Sequence, residues 1–341
     1  MNPRADGRTP VSDRETRQLL EALRSGKRAA LARAISIVEN DRPGAAEILQ
    51  ALHGETAKSH RIGITGPPGA GKSTLTAALI ERLRRRGQTV GVVAVDPTSP
   101  FSGGAVLGDR IRMAAAATDP GVFIRSTASR GAIGGLALTT NEIADVMDAF
   151  GFDRLFIETV GVGQAELDIA AAADTTIVLL VPESGDSVQA MKAGLLEIAD
   201  VFVVNKADRP GATRLARELE LTLHLRTGQP RRLDEAAVPD PERPWPVPVL
   251  KTIAESGEGV DDVLGALDRH LHWLEASGER ERRRRSRTEK RVRQAVGRIL
   301  QREVWVEGGG EAELDRLLPE VLAGKLTPYE AAAQIVRASR S

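Results

Sequence analysis

The sequence of 341 residues contains no cysteine, and this absence excludes disulfide bonds, thiol catalysis and cysteine-ligated metal sites. No apolar run is long enough to span a membrane, and residues 1–11 lack the apolar stretch of a secretory signal. An excess of charge is also missing, because Lys plus Arg and Asp plus Glu both number 47. The formal net charge of +0 gives no general attraction to nucleic acid or anionic lipid. We therefore expect a cytoplasmic protein with neither nucleic acid nor membrane as a partner.

The chain changes in character near His60. Before this residue, apolar residues at helical spacing predict helices at residues 13–24, 27–39 and 42–53, with Pro43 suited to the start of the third. After it, short apolar runs alternate with amphipathic helices, which is typical of a doubly wound, mostly parallel α/β sheet. The predicted strands are residues 62–65, 90–95, 122–125, 155–159, 176–181, 201–205 and 247–250. The predicted helices are residues 73–86, 109–118, 139–150, 165–173, 187–198, 213–225 and 260–274.

The last third of the chain contains a loop and a helical segment. Residues 229–248 are rich in proline and arginine and predict a surface loop. A charge run at 279–287 continues into a helix through Arg302. Two shorter helices are expected within residues 311–340, and Thr327 with Glu330 has the spacing of a capping box that starts the second. We expect an N-terminal helical extension (1–58), an α/β domain (59–277) and a C-terminal helical segment (278–341).

A phosphate-binding loop is predicted between the first strand and the following helix. The segment Gly66-Pro67-Pro68-Gly69-Ala70-Gly71-Lys72-Ser73 fits the pattern G-x-x-x-x-G-K-[ST], and Thr74 follows it in the nucleotide-binding set. Glycines let backbone amides turn toward phosphate oxygens, and the helix adds the positive end of its dipole. Lys72 is expected to reach the β- and γ-phosphates, and the Ser73 hydroxyl to bind Mg²⁺. A chance glycine-rich turn is the alternative, which the strand–loop–helix setting disfavours.

A guanine-binding loop is predicted after the apolar strand at residues 201–205. In Asn205-Lys206-Ala207-Asp208, the Asp208 carboxylate can accept hydrogen bonds from the ring N–H and exocyclic amine of guanine, groups that adenine does not offer there. Asn205 is expected to tie this loop to the phosphate loop, and the Lys206 stem to pack on the purine. The Ala254 backbone amide is a candidate donor to the guanine carbonyl. Alone, N-K-x-D also fits a helix-capping turn.

Three acidic residues are candidates for magnesium chemistry: Asp96, Asp109 and Glu158. Two of them end predicted strands, and the carboxyl ends of strands line the ligand crevice in open α/β sheets. Because Mg²⁺ keeps several waters, we expect one or two of the three to act through water. A solvated helix cap is the alternative for Asp109. The amide of Gly161 is a candidate sensor of the γ-phosphate.

Other candidates carry less specific patterns. Gln164 and Gln189 could orient the attacking water, but no spacing rule chooses between them. Lys192 could contact phosphate or a second group on the nucleotide, or it could be a solvent-facing helix lysine.

Two longer sequence segments resemble those of a known protein family. Residues 95–113, VDPTSPFSGGAVLGDRIRM, and residues 158–164, ETVGVGQ, resemble the methylmalonyl-CoA mutase-associated GTPases of the MeaB/ArgK type, which belong to the SIMIBI class. The resemblance runs from about Asp13 to the C-terminus. It implies a P-loop GTPase core, a C-terminal helical dimerisation arm and a homodimer. Lys72, Glu158 and Gln164 would take part in hydrolysis of GTP with Mg²⁺.

The resemblance also implies a chaperone role. Such GTPases bind an adenosylcobalamin-dependent acyl-CoA mutase, usually methylmalonyl-CoA mutase, and gate delivery of adenosylcobalamin, which belongs to the partner enzyme. Residues 182–192, including Gln189 and Lys192, would then form a switch that contacts the mutase or the nucleotide. The family has also been named as a kinase of arginine and ornithine transport.

Four other classes of protein are alternatives for this sequence. A P-loop kinase would bind ATP, which Asp208 argues against, and a nickel-insertion GTPase would need a Cys or His cluster. His270 and His272, at i and i+2, do not share a helix face, and we expect them at the surface or in a partner contact. A signal-recognition GTPase would bind RNA, yet the chain has only four Met, and residues 282–285 are balanced by nearby glutamates, which predicts a solvated helix. The fourth class is a module without hydrolysis; we expect slow turnover that a partner stimulates.

Overall fold

A computed structural model describes residues 13–56, 58–97, 118–129, 135–159, 169–182, 194–227 and 240–339. Its strands are β1 (His60–Thr65), β2 (Val90–Pro97), β3 (Val122–Ser129), β4 (Arg154–Thr159), β5 (Thr175–Leu180), β6 (Val201–Asn205) and β7 (Val249–Thr252). Its helices are α1 (Asp13–Arg24), α2 (Arg28–Glu39), α3 (Ala45–Leu52), α4 (Lys72–Arg85), α5 (Gly135–Phe150), α6 (Leu195–Ile198), α7 (Ala212–Thr227), α8 (Val260–Ala276), α9 (Glu279–Arg302), α10 (Gly310–Leu322) and α11 (Pro328–Ala338).

The seven strands form one parallel sheet in the order β3-β2-β4-β1-β5-β6-β7. β1 lies at its centre, where Ile64 pairs with Glu158 of β4 and with Ile177 of β5. Chain order reverses direction on either side of β1, so a crevice opens at the carboxyl ends of the central strands. The predicted doubly wound α/β fold is confirmed.

Helices cover both faces of the sheet because its strands are apolar on both faces. On one face, α4 and α8 pack against residues such as Val92 and Val203. On the other face, the N-terminal helices and α5 pack against Val93 and Val95. Farther along this second face, α7 covers Phe202 and Val204 of β6. Neighbouring residues such as Val92 and Val93 therefore lie on opposite faces of the sheet, as the two-residue repeat of a strand requires.

Several predicted elements differ from the structure. The strand predicted at 122–125 continues to Ser129 as β3, and the helix predicted at 139–150 begins at Gly135 as α5. The helix predicted at residues 42–53 begins at Ala45, because Gly44 takes a left-handed φ of 96° that a helix interior cannot include. The helix predicted at 187–198 cannot be continuous, since Gly194, with a φ of 82°, precedes the short α6. The strand predicted at 247–250 lies two residues later, as β7. Of the helix predicted at 109–118, only Thr118 lies within the described residues. Of the helix predicted at 165–173, residues 169–173 are described, and only 169 and 170 are helical.

A buried polar chain crosses the amino edge of the sheet, where the strands begin. Arg154 donates to His60 Nδ1 at 2.6 Å, so the other nitrogen of that ring, Nε2, carries the proton and faces Thr175 Oγ1 at 2.6 Å. The Thr175 hydroxyl in turn donates to His270 Nδ1 at 2.8 Å. His270 is completely buried, so the prediction that it lies at the surface is wrong. Spacing excludes a shared helix face with His272, but it does not say which face is buried.

The same chain continues to the start of α9. His270 Nε2 lies 3.4 Å from Asp200 Oδ1, and Arg283 binds both carboxylate oxygens of Asp200 at 2.9 Å. The prediction of a solvated arginine run is therefore wrong for Arg283, which faces the sheet. Trp245 is also buried and donates to the Asp200 carbonyl, so the predicted surface loop is anchored at this residue.

The chain divides into two compact units, residues 1–284 and 285–341, and the division falls within α9. In the second unit, Leu317, Ala331 and Ile335 form a small core. The predicted capping box is confirmed, since Thr327 and Glu330 exchange hydrogen bonds at the start of α11. Among the described residues, no helix has both the length and the apolarity to cross a membrane.

Candidate functional site at the carboxyl edge of the sheet

Four strands end at the crevice and deliver the candidate side chains. The loop 66–71 follows β1, and Glu158 is the penultimate residue of β4. The loop 205–208 follows β6, and the turn containing Ala254 follows β7. Because all these strands are parallel, their carboxyl ends meet at one edge, and the predicted phosphate and guanine loops lie at that same edge.

Two glycines of the phosphate loop are required by close contacts. Gly66 has a φ of 142°, and a Cβ there would lie 2.0 Å from the carbonyl oxygen of Leu179 in β5. Gly71 has a φ of 93°, and a Cβ there would lie 2.4 Å from Asn205 Nδ2. The tight loop directs the chain into α4, whose first amides have no partner within the helix and suit an anion.

Lys72 lies at the first position of α4 and is buried. Its Nζ donates to the carbonyl oxygens of Gly66 at 2.9 Å and Pro67 at 3.1 Å. These bonds hold the ammonium group against the phosphate loop rather than in solvent. A cation in this position is placed to meet phosphate oxygens that enter the loop.

Glu158 connects β4 with the first turn of α4. Its side chain is only 2% exposed, and Oε1 accepts a hydrogen bond of 2.6 Å from Ser73 Oγ. Thr76 Oγ1 lies 3.1 Å from the second oxygen, Oε2. Because Ser73 gives its single proton to Glu158, the lone pairs of its oxygen remain for a cation, which fits Mg²⁺. The sequence predictions did not include Thr76, although it lies three residues after Ser73 and so on the same side of α4.

Asn205 joins three segments of the site, and its predicted tie to the phosphate loop is confirmed. Its Nδ2 donates to the Ala70 carbonyl at 2.8 Å. Its Oδ1 accepts hydrogen bonds of 3.0 Å from Thr252 Oγ1 and from the amide of Ala254. In this structure the Ala254 amide, predicted to donate to guanine, is therefore directed at Asn205. The phosphate loop, the base-side loop and the turn after β7 are held as one assembly.

The remaining base-side residues form a turn. Lys206 takes a left-handed φ of 56°, and the amide of Ala207 donates to the Thr252 carbonyl at 3.0 Å. The amide of Arg209 closes the turn onto the Lys206 carbonyl. Asp208 is exposed at the rim of the site, where its carboxylate is accessible to a ligand.

The other predicted residues are only partly located. Asp96 lies near the end of β2, two residues beyond Ala94, which pairs with Glu158, so its backbone lies at the same edge. In the described part of the chain, no group of three or more His, Cys, Asp or Glu residues could hold a metal. Mg²⁺ in proteins usually keeps several waters and binds substrate phosphates, so a Mg²⁺ at Ser73 would need few protein ligands. Asp109, Gly161, Gln164, Gln189 and Lys192 lie outside the described residues.

Comparison with known proteins identifies the family. The family model described as methylmalonyl Co-A mutase-associated GTPase MeaB matches residues 31–308. The chain belongs to the MeaB family. It is therefore a G protein with a P-loop core, a class of protein that hydrolyses GTP and generally binds its nucleotide with Mg²⁺.

Relatives of this MeaB-family chain come from all three domains of life. A protein of Pyrococcus horikoshii named as a GTPase is 46% identical over 315 residues, 92% of this chain and 95% of the relative. The GTPase ArgK of Escherichia coli is 36% identical over 275 residues, 79% of this chain and 80% of the relative. The mitochondrial methylmalonic aciduria type A homolog of Mus musculus is 33% identical over 355 residues, 97% of this chain and 82% of the relative.

A solved structure supports the MeaB-family fold. The crystal structure of an LAO/AO transport system kinase superposes with a TM-score of 0.68 and 27% sequence identity, covering 98% of this chain and 100% of that chain. The similarity therefore extends over both the α/β unit and the helices that follow it.

Proposed function

We propose that this protein is a GTP-hydrolysing chaperone that gates the loading of adenosylcobalamin into an adenosylcobalamin-dependent acyl-CoA mutase and protects that enzyme from inactivation. Methylmalonyl-CoA mutase is the partner we propose first. The observation that carries the nucleotide part of the proposal is the Asn205 side chain, which bonds the phosphate loop and both base-side segments together. One ligand long enough to span phosphate and base sites suits this assembly.

The proposed nucleotide contacts follow the geometry of the site. Residues 66–74 would surround the phosphates, with Lys72 exchanging its bonds to Gly66 and Pro67 for phosphate oxygens. Asp208 would accept the two guanine N–H groups, and Lys206 would pack on the purine. Ala254 stays a proposed donor to the guanine carbonyl, which requires its amide to leave Asn205 or to divide its hydrogen bond.

The proposed metal contacts centre on Ser73. Mg²⁺, when bound, would neutralise charge on the β- and γ-phosphates. Ser73 would contact it directly, while Glu158 would keep the Ser73 hydroxyl oriented and hold a metal-bound water. Asp96 and Asp109 are the further proposed carboxylates. We also propose Gly161 as the γ-phosphate sensor, Gln164 as the residue that orients water, and Gln189 with Lys192 as part of the partner-responsive switch.

The proposed partner rests on the names of related proteins. The family description names association with methylmalonyl Co-A mutase, and the mouse relative is named for methylmalonic aciduria. We propose slow intrinsic hydrolysis that this mutase accelerates. Unchanged turnover when an apo-mutase is added would count against the chaperone role while leaving GTP binding intact.

The proposed homodimer is supported by a feature of the second unit. Val292, Val296 and Ile299 of α9 are each about half exposed, at 57%, 49% and 55%. Their spacing of four and three residues places them on one face of the helix, an arrangement that commonly packs against another helix. Sedimentation measurements on the full chain test this proposal, and a monomer at micromolar concentration would contradict it.

Calorimetry tests the nucleotide part directly. With Mg²⁺ present, the protein should bind GDP and GTP analogues and discriminate against ATP. Asp208→Asn should weaken GTP binding by roughly a hundredfold, because one acceptor oxygen is replaced by an N–H₂ donor that faces a guanine N–H group, and the variant should favour xanthine nucleotides. Asp240→Asn, which changes an exposed aspartate elsewhere, is the matched control. An Asp208→Asn protein with full preference for GTP would remove Asp208 from base recognition.

A further inference from the structure

We infer that Thr76 is a positioning residue that holds the second oxygen of Glu158 and thereby sets the affinity of the site for Mg²⁺. This inference rests on the proposed binding of a magnesium–nucleotide complex at Ser73. Thr76 lies outside the G-x-x-x-x-G-K-[ST] pattern and is not one of the predicted site residues. Its side chain is completely buried in the first turn of α4.

The Thr76 hydroxyl lies between two hydrogen-bond acceptors. Oγ1 lies 2.9 Å from the Lys72 carbonyl oxygen and 3.1 Å from Glu158 Oε2. A hydroxyl has one proton, so these two acceptors compete for it. A bond to the carbonyl four residues earlier is the ordinary arrangement for a helical threonine. A carboxylate at hydrogen-bond distance is the additional feature here, and it attracts the proton more strongly because it is ionised.

Glu158 is buried, which determines which groups can stabilise its carboxylate. At 2% exposure, its carboxylate has little access to water and depends on protein donors. The Ser73 hydroxyl lies at hydrogen-bond distance from one carboxylate oxygen and the Thr76 hydroxyl from the other. Two hydroxyls three residues apart on one helix therefore contact both oxygens. This arrangement restricts rotation about the terminal torsion of Glu158, which otherwise has a broad minimum.

The orientation of the Glu158 carboxylate affects how Ser73 can bind the cation. Ser73 can bind Mg²⁺ only through oxygen lone pairs, so its proton must point away from the metal and toward Glu158 Oε1. Glu158 fulfils this requirement when its plane is fixed, and among the described residues Thr76 lies at hydrogen-bond distance from its other oxygen. Without the Thr76 hydroxyl, the carboxylate can turn, and Ser73 loses the acceptor that keeps its lone pairs directed at the metal.

The test measures Mg²⁺ binding separately from nucleotide binding. A fluorescent GDP analogue is bound to the full-length protein, and its dissociation rate is followed across a Mg²⁺ titration and again in EDTA. Thr76→Val preserves shape and removes the hydroxyl, and it should raise the half-saturating Mg²⁺ concentration by roughly tenfold, the effect of one lost hydrogen bond. Affinity in EDTA should change by no more than about twofold, and Thr76→Ser should restore Mg²⁺ dependence to near the wild-type value.

A matched control comes from α7. Thr222 makes the same kind of bond, 2.7 Å to the carbonyl of Glu218, in the second half of a helix that begins at the site. Thr222→Val should leave Mg²⁺ dependence unchanged. Thr76→Ala is a second variant that must reproduce the Thr76→Val result, and it carries the test if one of the two proteins is unstable.

Two outcomes would overturn the inference and can be told apart from failure of the proposed function. Equal Mg²⁺ dependence in wild type, Thr76→Val and Thr76→Ala would show that Glu158 needs no second hydroxyl. Equal losses of affinity with Mg²⁺ and in EDTA would show that Thr76 supports the phosphate loop rather than the metal. A wild-type protein that binds no GDP at all would instead overturn the proposed function, and this inference with it.

Discussion

The two edges of the central sheet use polar residues in opposite ways. At the carboxyl edge, Lys72 and the Asn205 side chain bind backbone carbonyls, bonds that can be exchanged for those of an entering ligand. At the amino edge, His60, Thr175 and His270 bind one another in a buried chain in which each proton has a defined place. At the carboxyl edge, polar groups can exchange their protein partners for those of a ligand. At the amino edge of the same sheet, polar groups hold the strands in register.

The largest effect is expected from breaking the amino edge. Arg61 is buried in β1 and pairs with Asp145 and Asp148 of α5 at 2.8 and 2.9 Å. Arg61→Met removes the cation that faces these two buried carboxylates and should lower the free energy of unfolding by about 3–5 kcal/mol. Urea denaturation followed by circular dichroism measures this loss.

A matched ion pair provides the control for Arg61. Arg24 and Glu55 pair at 2.6 Å but are 45% and 32% exposed. Arg24→Met should cost less than about 1 kcal/mol, because solvent already screens that pair. Similar losses in the two variants would mean that the amino edge is not a special source of stability.

The next effect is expected from breaking the carboxyl edge. Lys72→Ala should reduce GTP hydrolysis by roughly two to three orders of magnitude, since a preorganised cation beside the phosphates is lost. The free energy of unfolding should fall by less than in Arg61→Met, because Lys72 bonds the neutral carbonyls of Gly66 and Pro67, which carry no buried charge when these bonds are lost. Phosphate release at saturating GTP measures the first quantity, and Lys27→Ala at an exposed position is the control. A large loss of stability would mean that the carboxyl edge is also structural.

The smallest effect at neutral pH is expected from the buried histidines, because they change the free energy of unfolding only at acid pH. Burial lowers the pKa of His270 to about 4 and, together with the Arg154 charge, lowers the pKa of His60 well below its usual value. Between the unfolded value near 6.5 and the folded value, the unfolded chain binds more protons than the native one. The contribution of each neutral histidine to the free energy of unfolding is therefore fully present above pH 6.5. As the pH decreases below this value, the free energy of unfolding falls by about 1.4 kcal/mol per pH unit for each histidine.

Variants can assign this acid sensitivity. His270→Gln should reduce the slope of unfolding free energy against pH between about 6.5 and 4 by about 1.4 kcal/mol per pH unit, and the slope due to His60 should remain. His272→Gln, at an exposed position on the same helix, should leave the wild-type slope. Urea unfolding at several pH values gives the slopes, with nearby Asp200, Asp174 and Arg283 unchanged. Equal slopes in both variants would assign the sensitivity to other groups.

Much of the carboxyl edge could be predicted from the sequence because its chemistry is encoded locally. The phosphate loop has a fixed spacing of glycines, lysine and serine within residues 66–73, and the strand before it is continuously apolar. Asn205 could be linked to that loop because N-K-x-D after a strand has a known spatial relation to it. The strands themselves could be located because buried parallel strands lack polar alternation.

The rest depends on contacts between distant residues. Thr76 and Glu158 are 82 residues apart, and nothing in the spacing of either signals their hydrogen bond. His60 meets Thr175 and His270 only because their elements are neighbours in the folded sheet, so the burial of His270 was missed. Arg283 and Arg284 belong to a run whose other members, Arg282 and Arg285, are exposed. The positions of Asp200 and Asp174 in the folded sheet distinguish the two from these neighbours.

The close approach of Gly71 to Asn205 has a consequence for engineering. Any side chain at position 71 would begin 2.4 Å from the Asn205 amide nitrogen, so a substitution intended to weaken phosphate binding would also displace the residue that braces the base-side loop. Substitutions of Gly71 should therefore reduce both the affinity for nucleotide and the discrimination between guanine and other bases. In the proposed nucleotide site, phosphate binding and base recognition are coupled through this contact, and a substitution at position 71 would alter both.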